Sequence, residues 1–242
     1  MIKTVHKKCF NQIKVLFSTV LVILSTYLPT FTYPHEIYSY PIRWYTKITE
    51  DGKTKLYLKA NKDYLEQPFL ETYTSSLSNW NNAWSANANY NIHSVSHIKC
   101  IDTTYSNANL FFCSASKEWW QQLFNYSYQQ YEYVALTENY NIYGTKIDSS
   151  TVSSVDRNIG KSIIYLSPYV TSTAYNFIQR RGILMHEMGH AIGLGHPNGT
   201  DSRNPYSAQT YGSIMDNYFN EDYPSIHDVY DIEIMYNFNC RY

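Results

Sequence analysis

The chain contains few charged residues, no block of basic residues and no apolar run long enough to span a membrane. Only 16% of the 242 residues are charged, and the formal net charge is −1. A protein without a basic patch lacks the electrostatic attraction that most nucleic-acid binding requires, so nucleic acid is not an expected partner. Internal repeats and low-complexity tracts are also absent, which argues against repeat and disordered architectures.

Aromatic and aliphatic side chains are abundant instead. Aromatic residues make up 17% of the chain, with 26 Tyr, and hydrophobic residues make up 44%. A chain of this length and composition can bury one sizeable core, and its aromatic side chains favour β-structure over disorder. We therefore expect one folded domain.

The N-terminus has the pattern of a secretory signal peptide. Four lysines, at positions 3, 7, 8 and 14, precede the apolar run Val15–Leu28, which is shorter than the roughly 20 residues of a membrane span. We predict a signal peptide over residues 1–33, a mature domain over residues 34–242, secretion, and no membrane span after cleavage. Thr30 and Thr32 offer an imperfect cleavage site, so the cleavage point and the alternative of an uncleaved anchor stay open.

Three cysteines remain after the predicted signal peptide, and their pairing is open. Cys100 and Cys113 lie in two strand-like runs separated by the turn-rich segment 102–109. One interpretation is a disulfide across a hairpin formed by these runs. The alternative is that Cys100, Cys113 and Cys240 are free thiols, because spacing alone does not establish the Cα separation that a disulfide needs.

Hydrophobic periodicity predicts an α+β domain with a mixed sheet. Apolar residues recur three and four apart over Pro68–Ala86, which is typical of an amphipathic helix. A second helix is predicted from Thr171–Thr173 to Ala191, and a third from the capping-box sequence Ser225–Asp228 to Tyr236. Alternating runs predict strands at Ile42–Lys47, Lys55–Ala60, Ile92–Ile101, Asn109–Ser114, Tyr131–Thr137 and Ser162–Leu166, the first two joined through Asp51-Gly52.

One eleven-residue stretch, from His186 to His196, carries ligands for a metal ion. His186 and His190 are four apart, so on a helix both imidazoles project from one face toward a single ion. Gly193 follows one turn later, where a residue without a side chain can bend the chain and return His196 as a third ligand. Glu187 is offset from the ligand face and can take a proton from water at the fourth position. The pattern predicts a catalytic metal site with Glu187 as general base.

This stretch resembles the H-E-x-x-H-x-x-G-x-x-H motif of the metzincin metallopeptidases, most closely their matrixin and serralysin branches. Ser213-Ile214-Met215 resembles the family's Met-turn, which would make Met215 an apolar floor beneath the metal. The resemblance implies one catalytic Zn²⁺ and a twisted mixed five-stranded sheet with two long helices, one carrying the zinc motif, and a short C-terminal helix. It also implies a secreted endopeptidase that acts on proteins or peptides, and we expect a monomer.

Several positions depart from the family pattern. Pro197 follows the third histidine as in serralysin-like enzymes, yet no downstream calcium repeats are present, so the branch and bound Ca²⁺ stay open. Serralysins and astacins place a tyrosine two residues after the Met-turn methionine, but Asn217 stands there in this chain, which leaves Tyr218 as a candidate oxyanion or zinc-associated residue. No cysteine switch is predicted. His93 and His97 are interpreted as ordinary polar residues, not as ligands of a second zinc.

Substrate recognition is also predicted from the resemblance. An extended peptide would pair with an edge strand at Tyr133–Thr137, and Asp216–Pro224 would line the pocket for the side chain after the cleaved bond. The alternative function is a noncatalytic extracellular binding or adhesion module that retains zinc. In that case Trp119, Trp120 and surface tyrosines would contact glycan or protein, whereas in the peptidase interpretation the two tryptophans are packing residues on a short helix.

Overall fold

The fold is seen in a computed structural model, which describes residues 42–90, 96–147, 157–170, 173–197, 211–216, 221 and 223–236. The predicted signal peptide, His93, Tyr218 and Cys240 lie outside these residues.

The described residues form an α+β fold built on one mixed sheet. The sheet has eight strands: β1 (Arg43–Trp44), β2 (Lys47–Glu50), β3 (Lys53–Tyr64), β4 (Ile98–Asp102), β5 (Leu110–Ser114), β6 (Ala135–Asn141), β7 (Lys146–Ile147) and β8 (Asn158–Leu166). The α-helices are α1 (Tyr73–Ala86), α2 (Lys117–Leu123), α3 (Phe177–Ala191) and α4 (Ile226–Tyr236).

Parallel strands make up the centre of the sheet, and an antiparallel strand closes one side. β4, β3, β5 and β8 pair in parallel, while β6 runs antiparallel to β8. Two short strands extend the sheet, β2 as a hairpin arm on β3 and β7 as a hairpin arm on β6. β6 therefore lies beyond β8, on the opposite side of the sheet from β3.

The expected strand count of five is wrong for the described residues, which contain eight. β1 and β7 are two residues long each, too short to show the alternation on which strand prediction depends. The first hairpin arm is Lys47–Glu50 instead of Ile42–Lys47, although its turn is correct. Asp51 and Gly52 both have positive φ, 53° and 71°, as a two-residue type I′ turn requires.

The predicted hairpin between the two cysteine-bearing strands does not form. β4 and β5 both pair in parallel with β3, and they occupy its opposite edges. Leu56 N donates to His97 O on the β4 side, whereas Lys59 O accepts from Asn109 N on the β5 side. Cys100 and Cys113 are accordingly free thiols, and burial raises the pKa of both.

α1 and α3 pack together on one face of the sheet. The α1 stripe predicted from the sequence is buried except for Leu70, and Trp80 Nε1 donates to Met185 O of α3 over 3.1 Å. Both helices begin later than predicted. Leu70–Thr72 forms a 3-10 turn before α1. α3 is capped by Asn176, whose side chain accepts from Gln179 N in a capping box. Asn is at least as good an N-cap residue as Thr, so the helix can begin here instead of at Thr171–Thr173.

α4 begins at the predicted capping box and buries several charged side chains. Ser225 N donates to Asp228 Oδ2 over 2.7 Å. Glu233 accepts from Trp84 Nε1, and its Oε1 atom lies 3.3 Å from His97 Nε2. His97 is only 7% exposed, so it is a buried partner of α4 and not the ordinary polar residue that the sequence suggested.

No helix within the described ranges combines the length and the apolar composition needed to cross a membrane.

Candidate metal centre

Three histidine side chains meet at the C-terminal end of α3. His186 Nε2 lies 3.0 Å from His196 Nε2, and His190 Nε2 lies 3.1 Å from the same atom. All three ligand atoms fall within 4.8 Å of one another, and the group could hold a metal ion. His186 and His190 reach this point from successive turns of α3, as their four-residue spacing predicts.

A turn at Gly193 directs His196 toward the other two imidazoles. Gly193 has φ of +100°, a left-handed conformation that strongly favours glycine. Gly193 N donates to His190 O and Leu194 N donates to Gly189 O, the paired bonds of a Schellman motif. A Cβ at Gly193 would lie 2.4 Å from Ile42 O. Backbone conformation and close packing therefore both require glycine here.

Two backbone carbonyls define which nitrogen of each helical histidine faces the centre. His186 Nδ1 lies 2.8 Å from Ile214 O, and His190 Nδ1 lies 2.9 Å from Leu194 O. A carbonyl oxygen only accepts hydrogen bonds, so each Nδ1 carries the proton. In the neutral ring, Nε2 then presents its lone pair. Carbonyl groups of this kind typically fix the orientation of metal-binding histidines.

The spacing of the Nε2 atoms fits a shared ion. Lone pairs that converge at about 3 Å repel one another, and a cation between them turns that repulsion into attraction. Nitrogen atoms bound to one tetrahedral zinc at about 2.0 to 2.1 Å would lie about 3.3 Å apart. The distances of 3.0 and 3.1 Å to His196 Nε2 are close to that value. The donor set and its geometry are thus suited to zinc.

Met215 packs directly against the ligand-bearing turn of α3. Its side chain is fully buried. A Cβ placed on Gly189 would lie 2.2 Å from Met215 Sδ, so the absence of a side chain at Gly189 lets the thioether approach the helix backbone. Gly189 lies between His186 and His190, a position that the sequence motif leaves unspecified. The structure therefore assigns it a packing role that sequence reasoning missed.

We predict that Gly189→Ala weakens metal binding at this candidate centre by about tenfold or more, because either Met215 or the helix turn between His186 and His190 must shift. Alanine is a better helix former than glycine by about 1 kcal/mol, so helix propensity alone would favour the variant. Competition with a chromophoric chelator would measure the affinity. The double variant Gly189→Ala, Met215→Val removes Sδ and should recover part of it. Wild-type affinity in the single variant would contradict the packing role.

A buried carboxylate of α4 holds the segment beneath His186. Asp228 Oδ2 accepts from Ile214 N over 2.9 Å, and Oδ1 accepts from the Ser213 hydroxyl. Ile214 O in turn faces His186 Nδ1. Asp228 thus holds the backbone of Ile214, whose carbonyl orients the candidate ligand His186. The sequence marked Asp228 only as part of a capping box, because its second role depends on a loop distant in sequence.

Glu187 is buried beside the ligands and contacts the neighbouring strand. It is 5% exposed. The Thr137 hydroxyl of β6 donates to Glu187 Oε2 over 2.6 Å. Burial raises the pKa of the Glu187 carboxyl to about 7, and the hydrogen bond from Thr137 partly offsets the rise. A carboxyl in this range can accept and return a proton near neutral pH.

Other side chains fasten the end of α3 to the sheet. Asn139 Nδ2 donates to His190 O over 2.9 Å, and the Ser162 hydroxyl lies 3.3 Å from Ala191 O. Tyr236 of α4 donates its hydroxyl to Ile192 O and accepts from Trp44 N, both over 2.6 Å. These contacts hold the last helical turn and the Gly193 bend from three directions.

The predicted site residues are not all described. Glu187, Gly193, Met215 and the three histidines lie together as stated above. Tyr218 lies outside the described residues, as does much of the predicted pocket segment 216–224.

Compared with known proteins, the chain matches no family model and no curated relative.

Proposed function

We propose that the chain is a secreted zinc-dependent endopeptidase of the metzincin type. The observation that carries the proposal is the convergence of three imidazole Nε2 atoms next to one buried carboxyl group. Structural zinc sites are usually closed by four protein ligands, whereas catalytic sites keep one position open. Within the described ranges, no further His, Cys, Asp or Glu joins the three histidines. This donor set favours a catalytic centre.

Zinc is the metal that we assign to the site. Neutral imidazoles bind zinc well, and three nitrogen ligands with one open position are typical of zinc hydrolases. A bound zinc ion would polarise the scissile carbonyl and lower the pKa of a water molecule toward 7.

Glu187 would handle the protons of the reaction. Oε2 is hydrogen-bonded to Thr137, and no hydrogen bond to Oε1 is present among the described residues. Oε1 would take the proton from the attacking water and then pass it to the departing amine nitrogen. The low exposure of Glu187 limits competition from bulk water at this step.

The outer edge of β6 is the proposed binding strand for the substrate backbone. Val134 O accepts from Ser167 N. Since antiparallel residues alternate between facing the partner strand and facing away, the backbone groups of Ala135 and Thr137 face outward. Among the described strands, β7 pairs with β6 only at Asn139 and Tyr140, beyond Thr137. An extended peptide could add there by backbone hydrogen bonds, while side-chain pockets would supply selectivity.

Export and the quaternary state also belong to the proposal. The lysines before the apolar run Val15–Leu28 support a cleaved signal peptide. The partners would be protein or peptide substrates, with the enzyme acting as a monomer.

The test is an assay of the purified protein on gelatin, casein and a peptide library, with zinc content measured in parallel. We expect cleavage of internal peptide bonds, loss of cleavage when a chelator strips the zinc, and recovery when zinc is returned. A folded, zinc-loaded protein that cleaves none of these substrates would overturn the peptidase assignment and favour the noncatalytic binding module. Cleavage that persists after the zinc has been removed would overturn the metal assignment.

A further inference from the structure

Thr137 contacts Glu187 from the strand to which substrate is proposed to bind. Its hydroxyl lies 2.6 Å from Glu187 Oε2 and 3.2 Å from Glu187 O. A hydroxyl has one proton to donate, and the shorter distance together with the negative charge favours the carboxylate oxygen. The hydrogen bond therefore restrains Oε2, and Oε1 is not engaged by Thr137.

The same residue also presents its backbone to the outer edge of β6, which no described strand covers at Thr137. Val134 O bonds to β8 through Ser167 N, so the N–H and C=O of Thr137, three residues later, point away from β8. The Thr137 side chain faces α3 while its peptide groups face the position of an added strand. One residue thus links the substrate edge to the carboxyl group of Glu187.

Attachment of α3 to the sheet does not depend on this contact alone. Asn139 Nδ2 donates to His190 O over 2.9 Å, and the Ser162 hydroxyl lies 3.3 Å from Ala191 O. The bond from Thr137 differs from these because it reaches a carboxylate side chain and not a main-chain carbonyl. Its particular effect is on the orientation of Glu187.

We propose that Thr137 is a positioning residue, which aligns Glu187 with the scissile bond of a peptide held on the backbone of the same strand. This inference rests on the proposed peptidase function. A displacement of about 1 Å between a catalytic group and its target can lower a rate about 100-fold. Losing the hydroxyl should therefore affect kcat more than KM, because the backbone of the strand is unchanged by the substitution.

The experiment compares Thr137→Val with Thr137→Ser. Valine keeps the branched shape but removes the donor, and we expect kcat to fall by about tenfold or more with KM nearly unchanged. Serine keeps the donor and should restore most of kcat. Zinc content and the unfolding temperature are measured for each variant. Thr72→Val is the matched control, since the buried Thr72 hydroxyl donates to Phe69 O over 2.8 Å. It should lose stability without losing kcat.

Each outcome decides the proposal. A Thr137→Val variant with wild-type kcat would overturn it, as would a Thr137→Ser variant as slow as Thr137→Val. A fall in kcat that merely follows a loss of zinc or of folded protein would show that Thr137 has a structural role instead. If the wild-type protein cleaves nothing, the proposed function itself fails and this inference fails with it.

Discussion

Replacing Glu187 by Gln is expected to lower kcat by about 10²- to 10⁴-fold, the usual range for loss of a general acid–base group. Glutamine has nearly the same shape, and its amide oxygen can still accept from the Thr137 hydroxyl, which lies 2.6 Å from Oε2 in the wild type. It cannot take up a proton at neutral pH. Zinc content should stay at the wild-type level, because the three histidines are unchanged. Peptide cleavage and bound zinc are the two measurements.

Glu233→Gln is the matched control for this prediction. Glu233 is also buried, at 2% exposed, and it pairs with Trp84 and His97. Its substitution should reduce stability and leave kcat close to that of the wild type. A Glu187→Gln enzyme that cleaves as fast as wild type would show that Glu187 is not the base. Equal losses of activity in both variants would indicate a general effect of removing buried charge.

Replacing Asp228 by Asn is expected to weaken zinc binding by about 10- to 100-fold, the range typical of residues that orient metal ligands. Asp228 Oδ2 accepts from Ile214 N and Ser225 N, and Oδ1 accepts from the Ser213 hydroxyl. An asparagine amide would turn N–H groups toward one of these donors. The Ile214 peptide would then shift, and its carbonyl would hold His186 less firmly.

The same substitution should lower the free energy of unfolding by about 1 to 3 kcal/mol, because it leaves a buried donor without an acceptor. Chelator competition measures zinc affinity, and urea unfolding of the zinc-free protein measures stability. Asp231→Asn serves as the control, since Asp231 is equally buried on α4 but contacts His227. It should lose stability while keeping zinc affinity. Wild-type zinc affinity in Asp228→Asn would contradict the orienting role.

Much of the secondary structure followed from local patterns. The stripe of α1, the Asp51-Gly52 turn and the capping box of α4 were predicted because each depends on residues a few positions apart. The boundaries of β6 were not, since the sequence predicted Tyr131–Thr137 and the strand is Ala135–Asn141. Tyr131 instead ends a 3-10 turn and packs on Tyr169, with 4.7 Å between the ring centroids. Aromatic side chains favour strands in general, and here a long-range contact outweighed that preference.

Strand pairing could not be predicted from the sequence either. The runs that contain Cys100 and Cys113 have the composition of a hairpin, but β3 lies between them. Local signals cannot exclude this arrangement, because the pairing energy comes from a third strand about 40 residues away in the chain. The sequence therefore leaves the disulfide and the free thiols as two alternatives, and the strand order decides for the free thiols.

The sequence by itself determined the spacing of His186, His190 and Gly193, because helix periodicity and the conformational freedom of glycine are local properties. The tertiary structure decided the rest of the candidate centre. Three contacts join residues from four separate segments: Met215 with Gly189, Asp228 with Ile214, and Thr137 with Glu187. Such contacts depend on how elements pack, and no pattern along the chain encodes the distance between side chains that only folding brings together.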